Sequence, residues 1–225
     1  RRTVFHVITQ LDQGGSARST YLTVLGHDRD RFRVGLVYGR SAERSEADTA
    51  QLAMDLKELR AAGVVLFEAP CLVRDISPLQ DACATLALWR VFHRERPDIV
   101  HTHTSKAGAL GRVAAWLAGV PVVIHTPHGH IFYGYYGRVM SGIIRLVERA
   151  LARVTGRIVT LTDRGAQEHV QYRIAAPDKF VTIPSGIVLS AFRPIQADPA
   201  VKRNELGLPT EGPVIGTVGR LVPIK

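Results

Sequence analysis

Residues 101–130 read HTHTSKAGALGRVAAWLAGVPVVIHTPHGH and contain five of the nine histidines of the chain. Two short apolar runs, residues 98–101 and 120–124, are rich in β-branched side chains, which is typical of buried parallel strands. Between them, residues 105–118 carry apolar side chains at helical spacing, and Gly119 follows as a stop signal. The stretch therefore predicts a strand, a helix and a second strand, which form a βαβ unit with parallel strands.

The five histidines lie at or just beyond the carboxyl ends of the two predicted strands. They are His101, His103, His125, His128 and His130. Ligands of open α/β sheets bind outside these ends, so we expect the five side chains to approach one crevice. Metal binding is one interpretation, although no carboxylate or cysteine completes a recognisable ligand spacing. Hydrogen bonding to the backbone is the other interpretation, and we favour it for His125 and His101.

The rest of the chain repeats the alternation of strands and helices. Strands are predicted over residues 3–9, 32–38, 64–67, 157–161 and 180–183. Helices are predicted over residues 19–26, 52–59, 79–94 and 164–172, and a further helix ends at residue 154. This alternation is typical of an α/β fold with a Rossmann-like, doubly wound parallel sheet. We predict one domain over residues 1–187, a linker over 188–211, and the start of a second domain, opening with a strand, over 212–225.

Composition is that of a folded protein with a large core. The chain has 225 residues, of which 46% are hydrophobic, and it contains no apolar run long enough to span a membrane. Its two cysteines, Cys71 and Cys83, are too few and wrongly spaced for a disulfide framework or a zinc knuckle. We therefore expect both to be packing residues in a protein of the reducing cytoplasm.

A net charge of +9 calls for an anionic partner or a solvated surface. The arginines that supply most of this charge are spread along the chain and form no block or motif suited to nucleic acid, so we predict no nucleic-acid partner. A phosphate-bearing ligand or an anionic membrane surface accounts for the charge equally well.

Four arginines lie on one side of the predicted helix that ends at residue 154. They are Arg138, Arg145, Arg149 and Arg153, roughly opposite an apolar face. We favour a solvated outer face on a helix that packs its apolar residues against the sheet. The alternative is a contact with anionic lipid, in which the aromatic loop 132–136 enters the interface beside the arginines.

Gly14 and Gly15 stand between the first predicted strand and the first helix. Glycines at this position let the backbone approach a ligand, and the free N–H groups of a helix N-terminus favour an anion. The GxGxxG spacing is absent, so a dinucleotide fingerprint is not supported. A plain tight turn is the competing interpretation.

Several of these segments together resemble a known family. The GG after the first strand, HTHTSKAG with GVPVVIHTPHGH, the turn VTIPSGI and the closing GTVGRLVPIK are similar to a family 4 glycosyltransferase of the GT-B fold. The resemblance covers nearly the whole chain. It implies two Rossmann-like domains, of which the N-terminal one binds the acceptor and the C-terminal one binds the nucleotide sugar. It further implies retaining transfer from a nucleoside-diphosphate sugar to a lipid-linked or polysaccharide acceptor, without an essential metal cofactor.

The same resemblance implies roles for individual residues. Gly14 and Gly15 fall on the glycine loop that approaches the donor phosphate and sugar, and His128 matches the histidine needed for transfer. Arg220 and Lys225 match the R-x4-K pattern that holds the donor diphosphate. Two fixed cations stabilise the negative charge that develops as a diphosphate departs, which removes the need for a metal.

Further expectations concern the acceptor and the extent of the chain. His103, Lys106 and His130 are candidates for the acceptor side. The family's E-x7-E segment is absent, so we expect a fragment of a longer enzyme, inactive alone, that is cytoplasmic and peripheral on the inner face of the membrane. A non-catalytic GT-B-like module that binds a sugar phosphate or a partner protein remains the alternative.

Overall fold

The computed structural model describes residues 1–11, 14–40, 45–129, 137–192 and 198–216. The chain divides into two compact units, Arg1–Gly186 and Ile187–Lys225. The predicted linker over 188–211 and the second domain from residue 212 stay predictions. The prediction that a strand begins at Gly212 is wrong for the described part, because residues 213–216 form no strand and Ile215 is fully exposed. No neighbouring strand in the described part of the second unit supplies the ladder hydrogen bonds that a strand requires.

One parallel sheet of seven strands occupies the described part of the first unit. In chain order the strands are β1 (Arg2–Ile8), β2 (Phe32–Gly39), β3 (Val65–Ala69), β4 (Ile99–His103), β5 (Val122–Thr126), β6 (Arg157–Thr160) and β7 (Phe180–Thr182). Their order across the sheet is β3-β2-β1-β4-β5-β6-β7. The chain thus runs from β1 to one edge, returns beside β1, and continues to the other edge. The predicted doubly wound, Rossmann-like sheet is confirmed.

Helices connect the strands. They are α1 (Gly15–Leu25), α2 (Glu46–Ala61), α3 (Pro78–Glu95), α4 (Ser105–Leu117), α5 (Arg138–Arg153) and α6 (Asp163–Gln171), with α7 (Pro199–Glu205) in the second unit. Two of them begin earlier than predicted. Helix α1 starts at Gly15, and α2 starts in a charged segment that carries no apolar period. The side chain of Ser45 accepts a hydrogen bond from the Asp48 amide and so caps α2, which explains its early start. None of the helices in the described ranges is long and apolar enough to cross a membrane.

The core lies on both faces of the sheet. Val4 and Ile8 of β1 pack beneath α1 and α2, whereas Phe5 and Val7 pack beneath α3 and α4. Side chains alternate between the two faces because the period of a strand is two residues. Helix α4 approaches the sheet closely, because a Cβ atom at Gly108 would collide with a histidine ring of β5.

The two cysteines form a disulfide, which the sequence analysis did not predict. Cys71 follows β3 and Cys83 lies in α3, and a disulfide joins them with their Cα atoms 6.0 Å apart. The prediction that both are unpaired packing residues is wrong. Two cysteines are too few for a framework of several bridges, but they suffice for a single bridge between a strand end and the helix that follows.

Helix α5 leaves part of its predicted apolar face uncovered. Its exposed surface, here called the apolar face of α5, consists of Val139, Met140, Ile143, Leu146 and Val147. Of the face predicted to pack on the sheet, Leu151 is buried and Ile144 packs against the core, whereas Met140, Ile143 and Val147 are exposed, so the predicted packing is wrong for these three. Arg138, Arg149 and Arg153 are exposed, as predicted. The outward apolar side chains make α5 an amphipathic helix with an uncovered face among the residues described.

Polar contacts explain this orientation of α5. Arg112 of α4, which is fully buried, forms an ion pair of 2.7 Å with Glu148 on the inner side of α5. The Arg145 guanidinium lies over the Tyr172 ring, and Arg149 donates a hydrogen bond to the Tyr172 carbonyl. These contacts hold the side of α5 that carries Arg145 and Glu148 towards the protein.

Candidate functional site

Threonine contacts join the carboxyl ends of β1 and β4. The hydroxyl oxygens of Thr9 and Thr104 lie 3.0 Å apart, and Thr9 also accepts a hydrogen bond from the Ala107 amide. Thr104 has a φ of 64°, in the left-handed region that side chains rarely adopt. The turn into α4 is therefore held firmly against the end of β1.

Gly14 and Gly15 form the beginning of α1 at the same edge of the sheet. Gly14 is the N-cap residue and Gly15 is the first helical residue. A Cβ atom added to Gly15 would meet no heavy atom within 4 Å, so space lies open beside this backbone. Open space at a helix N-terminus suits the approach of an anionic ligand, although the donor-binding role of the two glycines stays a prediction.

His128 lies directly beyond β5 in a strained conformation. Its φ is 56°, and the following Gly129 has a φ of 133°. Strained backbone of this kind clusters at binding and catalytic sites, where the surrounding structure holds it in place. The Nδ1 atom of His128 is buried and has no hydrogen-bond partner among the described residues.

A cavity of about 380 Å³ opens beside His128, between the ends of β5 and β6. Its wall is formed by Pro127, His128, Gly129, Thr160, Leu161, Thr162, Arg164, Gly165, Glu168 and His169. Hydroxyl, imidazole, guanidinium and carboxylate groups thus surround one space at the carboxyl edge of the sheet. Such a combination can hydrogen-bond a polyhydroxylated or phosphorylated ligand.

Burial keeps the His128 ring neutral. The loss of solvent lowers the pKa of His128 to about 4, so the ring carries no charge at neutral pH. A neutral imidazole has one N–H donor and one lone pair. His128 can therefore orient a ligand by hydrogen bonding but does not act as a cation.

Three hydrogen bonds in series link His128, through His103 and His6, to His27. His128 Nε2 lies 3.0 Å from His103 Nδ1, and His103 Nε2 lies 2.9 Å from His6 Nδ1. His6 Nε2 in turn lies 2.8 Å from Nε2 of His27, which follows α1 and is half-buried. We call these four residues the histidine string.

Sequence reasoning missed His6 and His27. His6 lies in the middle of β1, where it pairs in register with His101 of the adjacent β4. The signal was present, because a doubly wound sheet places its first and fourth strands side by side and so aligns their histidines. The contribution of His27 depends on the turn after α1, which no pattern in the sequence indicates.

The other two predicted histidines that the structure describes have structural partners. His101 Nε2 lies 2.7 Å from the Thr126 hydroxyl. His125 is fully buried, and its Nδ1 lies 2.9 Å from the Thr102 hydroxyl and 3.2 Å from the Thr102 carbonyl. The backbone hydrogen bond predicted for His125 is confirmed. His125 lies beneath α4, on the opposite face from the histidine string, so the expectation that all the histidines share one crevice is wrong.

Three of the histidines at the carboxyl edge of the sheet are also close enough together to bind a metal ion. One ring nitrogen from each of His6, His101 and His103 lies within 4.8 Å of the others, a spacing that could hold a metal ion. Imidazole ligands suit zinc, copper or nickel. Each ring nitrogen of His6 and His103 lies within hydrogen-bond distance of another histidine, however.

The remaining predicted site residues are separated from this cluster or lie outside the described part of the chain. The Lys106 ammonium forms an ion pair of 2.5 Å with Asp81 of α3 and also donates to the Asp75 carbonyl. Lys106 thus holds the start of α3, and its acceptor role stays a prediction. His130, Arg220 and Lys225 lie outside the described residues.

A doubly wound parallel sheet with a cavity at its carboxyl edge defines an α/β ligand-binding domain of the Rossmann-like class. The model of one family, described as Glycosyltransferase Family 4, matches residues 13–191. The chain belongs to this family, which confirms the resemblance seen in the sequence.

Curated relatives share about a third of their aligned residues with the chain. The UDP-Gal:alpha-D-GlcNAc-diphosphoundecaprenol alpha-1,3-galactosyltransferase of Escherichia coli is 36% identical over 159 residues, which are 71% of this chain and 41% of the relative. A D-inositol 3-phosphate glycosyltransferase of Acidothermus cellulolyticus is 33% identical over 163 residues, 68% of this chain and 36% of the relative. The chain thus spans about two fifths of the length of the curated relatives it matches.

Solved structures share the fold at lower identity. Anabaena Alr3699/HepE in complex with UDP and glucose superposes with a TM-score of 0.64 at 16% identity, covering 92% of this chain and 50% of that one. The UDP-GlcNAc 2-epimerase of Neisseria meningitidis bound to UDP-GlcNAc superposes with a TM-score of 0.56 at 13% identity, covering 81% of this chain and 47% of that one. The chain has the fold of the N-terminal half of a GT-B glycosyltransferase.

Proposed function

We propose that the whole protein is a retaining glycosyltransferase that moves a sugar from a nucleoside-diphosphate sugar to a lipid-linked or polysaccharide acceptor. The observation that carries this proposal is His128, a strained and half-buried histidine that lines a cavity at the carboxyl edge of the sheet and whose buried Nδ1 has no hydrogen-bond partner among the described residues. Membership of family 4 supports the reaction class. A relative whose name specifies a diphosphoundecaprenol-linked substrate supports the lipid-linked acceptor.

His128 would orient the sugar rather than exchange a proton with it. Its pKa, lowered to about 4 by burial, makes it a poor base at neutral pH. In front-face retaining transfer, the bond between the sugar and the diphosphate breaks, the acceptor oxygen forms the new glycosidic bond on the same face, and the leaving diphosphate oxygen takes the proton of the acceptor hydroxyl. No enzyme base is needed for that step. A fixed hydrogen bond to the sugar stabilises the one orientation in which the two events coincide.

The donor diphosphate requires positive charge. Gly14 and Gly15 would bring backbone N–H groups to the phosphates, and Arg220 and Lys225 would neutralise the charge that develops on the leaving oxygens. These cations take the part that a divalent metal plays elsewhere, so the proposal includes no essential metal.

Residence at the inner face of an anionic membrane completes the proposal. The apolar face of α5 is exposed, and Arg138, Arg149 and Arg153 are exposed on the same helix. An apolar face beside arginines is the composition of helices that lie in the interface of an anionic bilayer. A lipid-linked acceptor would be reached from that position without a membrane-spanning helix.

Activity is tested with the full-length protein and labelled nucleotide sugars. We expect diphosphate release coupled to sugar transfer, with the anomeric configuration of the product retained when it is read by NMR. His128→Ala should abolish release, whereas His93→Ala, which removes an exposed histidine of α3, should not. Release that survives His128→Ala would reject the role of His128, and an inverted product would reject retention. Binding of a nucleotide sugar without release would favour the non-catalytic module.

Membrane binding is tested by flotation with liposomes that contain anionic lipid. The variant Val139→Glu/Ile143→Glu/Leu146→Glu should stay with the soluble fraction, whereas the parent protein floats. Leu79→Glu is the matched control, because Leu79 is 86% exposed on α3, outside the apolar face of α5. Equal flotation of the triple variant and the parent would contradict the membrane proposal.

A further inference from the structure

The two inner members of the histidine string have partners on both ring nitrogens. His6 lies between His27 and His103, and His103 lies between His6 and His128, with nitrogen–nitrogen distances of 2.8, 2.9 and 3.0 Å. These distances are within the range of good hydrogen bonds. His6 and His103 are also fully buried, so water does not compete for their nitrogens.

In such a string of neutral rings, all the hydrogen bonds must run in the same direction. Burial lowers the pKa of His6 and of His103 well below the ordinary value, so each carries one N–H and one lone pair. A ring that donates on one side must therefore accept on the other. The protonation state of His128 Nε2 is then linked, bond by bond, to that of His27.

A positive charge near one end of the string favours one of the two directions of its hydrogen bonds. Arg29, two residues after His27, donates to the Val24 and Ala62 carbonyls, so its positive charge lies at the His27 end of the string. Burial lowers the pKa of His27, and the charge of Arg29 lowers it further. A cation at the His27 end favours lone pairs on that side and protons displaced towards His128. In this direction His103 Nδ1 donates to His128 Nε2, and the proton of His128 resides on Nδ1.

A donor at Nδ1 suits the ligand class. The oxygens of a diphosphate only accept hydrogen bonds, and those of a sugar can accept them. We propose that His27, His6 and His103 are positioning residues, which hold the His128 ring and present its Nδ1–H to an acceptor oxygen of a sugar nucleotide in the adjacent cavity. The ligand in this inference rests on the proposed function, whereas the direction of the string does not.

The same direction argues against a metal at His6, His101 and His103. The lone pair of His6 accepts from His27, and the lone pair of His103 accepts from His6. Neither residue keeps a lone pair for a cation, and a metal ion would have to break two of the three hydrogen bonds.

Nuclear magnetic resonance of the full-length protein with ¹⁵N-labelled histidine tests the string without substrate. Two-bond ¹H–¹⁵N correlations at neutral pH should show His128 protonated on Nδ1. His27→Phe, at the half-buried end where folding is least at risk, should give a mixture of His128 tautomers. His27→Gln, whose amide can still donate to His6, should restore the single tautomer. His125→Asn is the control for a buried histidine outside the string and should leave His128 unchanged.

Three results would overturn the inference. Protonation of His128 on Nε2 in the parent protein, or a His128 tautomer that is indifferent to His27→Phe, would overturn the inference. Stoichiometric binding of added Zn²⁺ with loss of the His6 and His103 signals would overturn it in favour of a metal site.

Kinetics separate this inference from the proposed function. His27→Phe should lower kcat about tenfold, the worth of one well-placed hydrogen bond, with little change in the donor KM, and His27→Gln should recover most of the loss. A parent protein that transfers no sugar would refute the proposed function while leaving the tautomer result intact. A kcat unchanged by His27→Phe would show that the string does not serve transfer.

Discussion

The buried ion pair between α4 and α5 allows a stability prediction to be worked out in detail. Arg112 is fully buried, and its Nη2 lies 2.7 and 2.9 Å from the two carboxylate oxygens of Glu148. Its Nε donates to the Gly108 carbonyl at 2.8 Å. The guanidinium therefore depends on one carboxylate for its charge balance.

Glu148→Leu removes that carboxylate and leaves the cation in the protein interior. Removal of one partner of a buried pair costs about 3–5 kcal/mol, because the remaining charge is neither solvated nor neutralised. For a chain of this size, each kcal/mol corresponds to roughly 2–4 °C, so the midpoint of thermal unfolding should fall by roughly 6–20 °C. The double variant Arg112→Met/Glu148→Leu removes both charges and should regain most of the lost stability.

Urea unfolding followed by circular dichroism, with parallel thermal scans, measures these differences. Glu68→Leu serves as the control, because Glu68 pairs with Arg40 at an exposed position, where ion pairs contribute at most about 1 kcal/mol. If Glu148→Leu costs no more than Glu68→Leu, or if the double variant is as unstable as the single one, the reasoning about the buried charge is refuted.

Three further predictions concern backbone, pH and metal. Gly39→Ala should destabilise by about 3 kcal/mol or more in urea titrations, because its Cβ would collide with the Leu72 carbonyl, whereas Gly142→Ala, open on α5, should stabilise by about 0.5–1 kcal/mol. Similar changes in stability for Gly39→Ala and Gly142→Ala would contradict the close contact of Gly39 with the Leu72 carbonyl. His101 and His128 have pKa values of about 3 and about 4 in the folded protein, against about 6.5 when unfolded, so the unfolded chain binds more protons below that pH. The free energy of unfolding from urea titrations should thus be level from pH 8 to 7 and fall from pH 6 to 5, by up to about 1.4 kcal/mol per histidine and pH unit. A free energy of unfolding that stays constant down to pH 5 would refute this. A chelator should leave the transfer rate of the full-length enzyme unchanged, and a loss restored by Mg²⁺ or Mn²⁺ would overturn the metal-free proposal.

The sheet and the position of His128 could be predicted because they depend on local patterns. β-Branched runs mark β4 and β5, small residues mark α4, and parallel strands place the turn after β5 at the ligand edge. The role of His128 in transfer was predicted from the family resemblance. The pattern alone assigned His125 and His128 to the same edge but could not separate the two faces of the sheet.

Other features depended on tertiary contacts that sequence periodicity does not record. The pattern of α5 has one apolar and one basic side, but it does not record that Glu148 pairs with Arg112 of another helix or that Met140, Ile143 and Val147 are left exposed. His6 became a site residue only through its register with β4. The Cys71–Cys83 bridge depends on how the turn after β3 folds back, which no local spacing rule predicts.

The backbone of His128 makes this residue informative about relatives of the protein. A side chain in the left-handed region costs about 1–2 kcal/mol, and glycine avoids that cost. Replacement by glycine would therefore relax the turn after β5 and remove the imidazole in a single step. If His128 serves the proposed sugar transfer, selection for a stable fold and selection for transfer act in opposite directions at this residue. Relatives that have kept the fold and abandoned the reaction are expected to drift towards glycine or asparagine here.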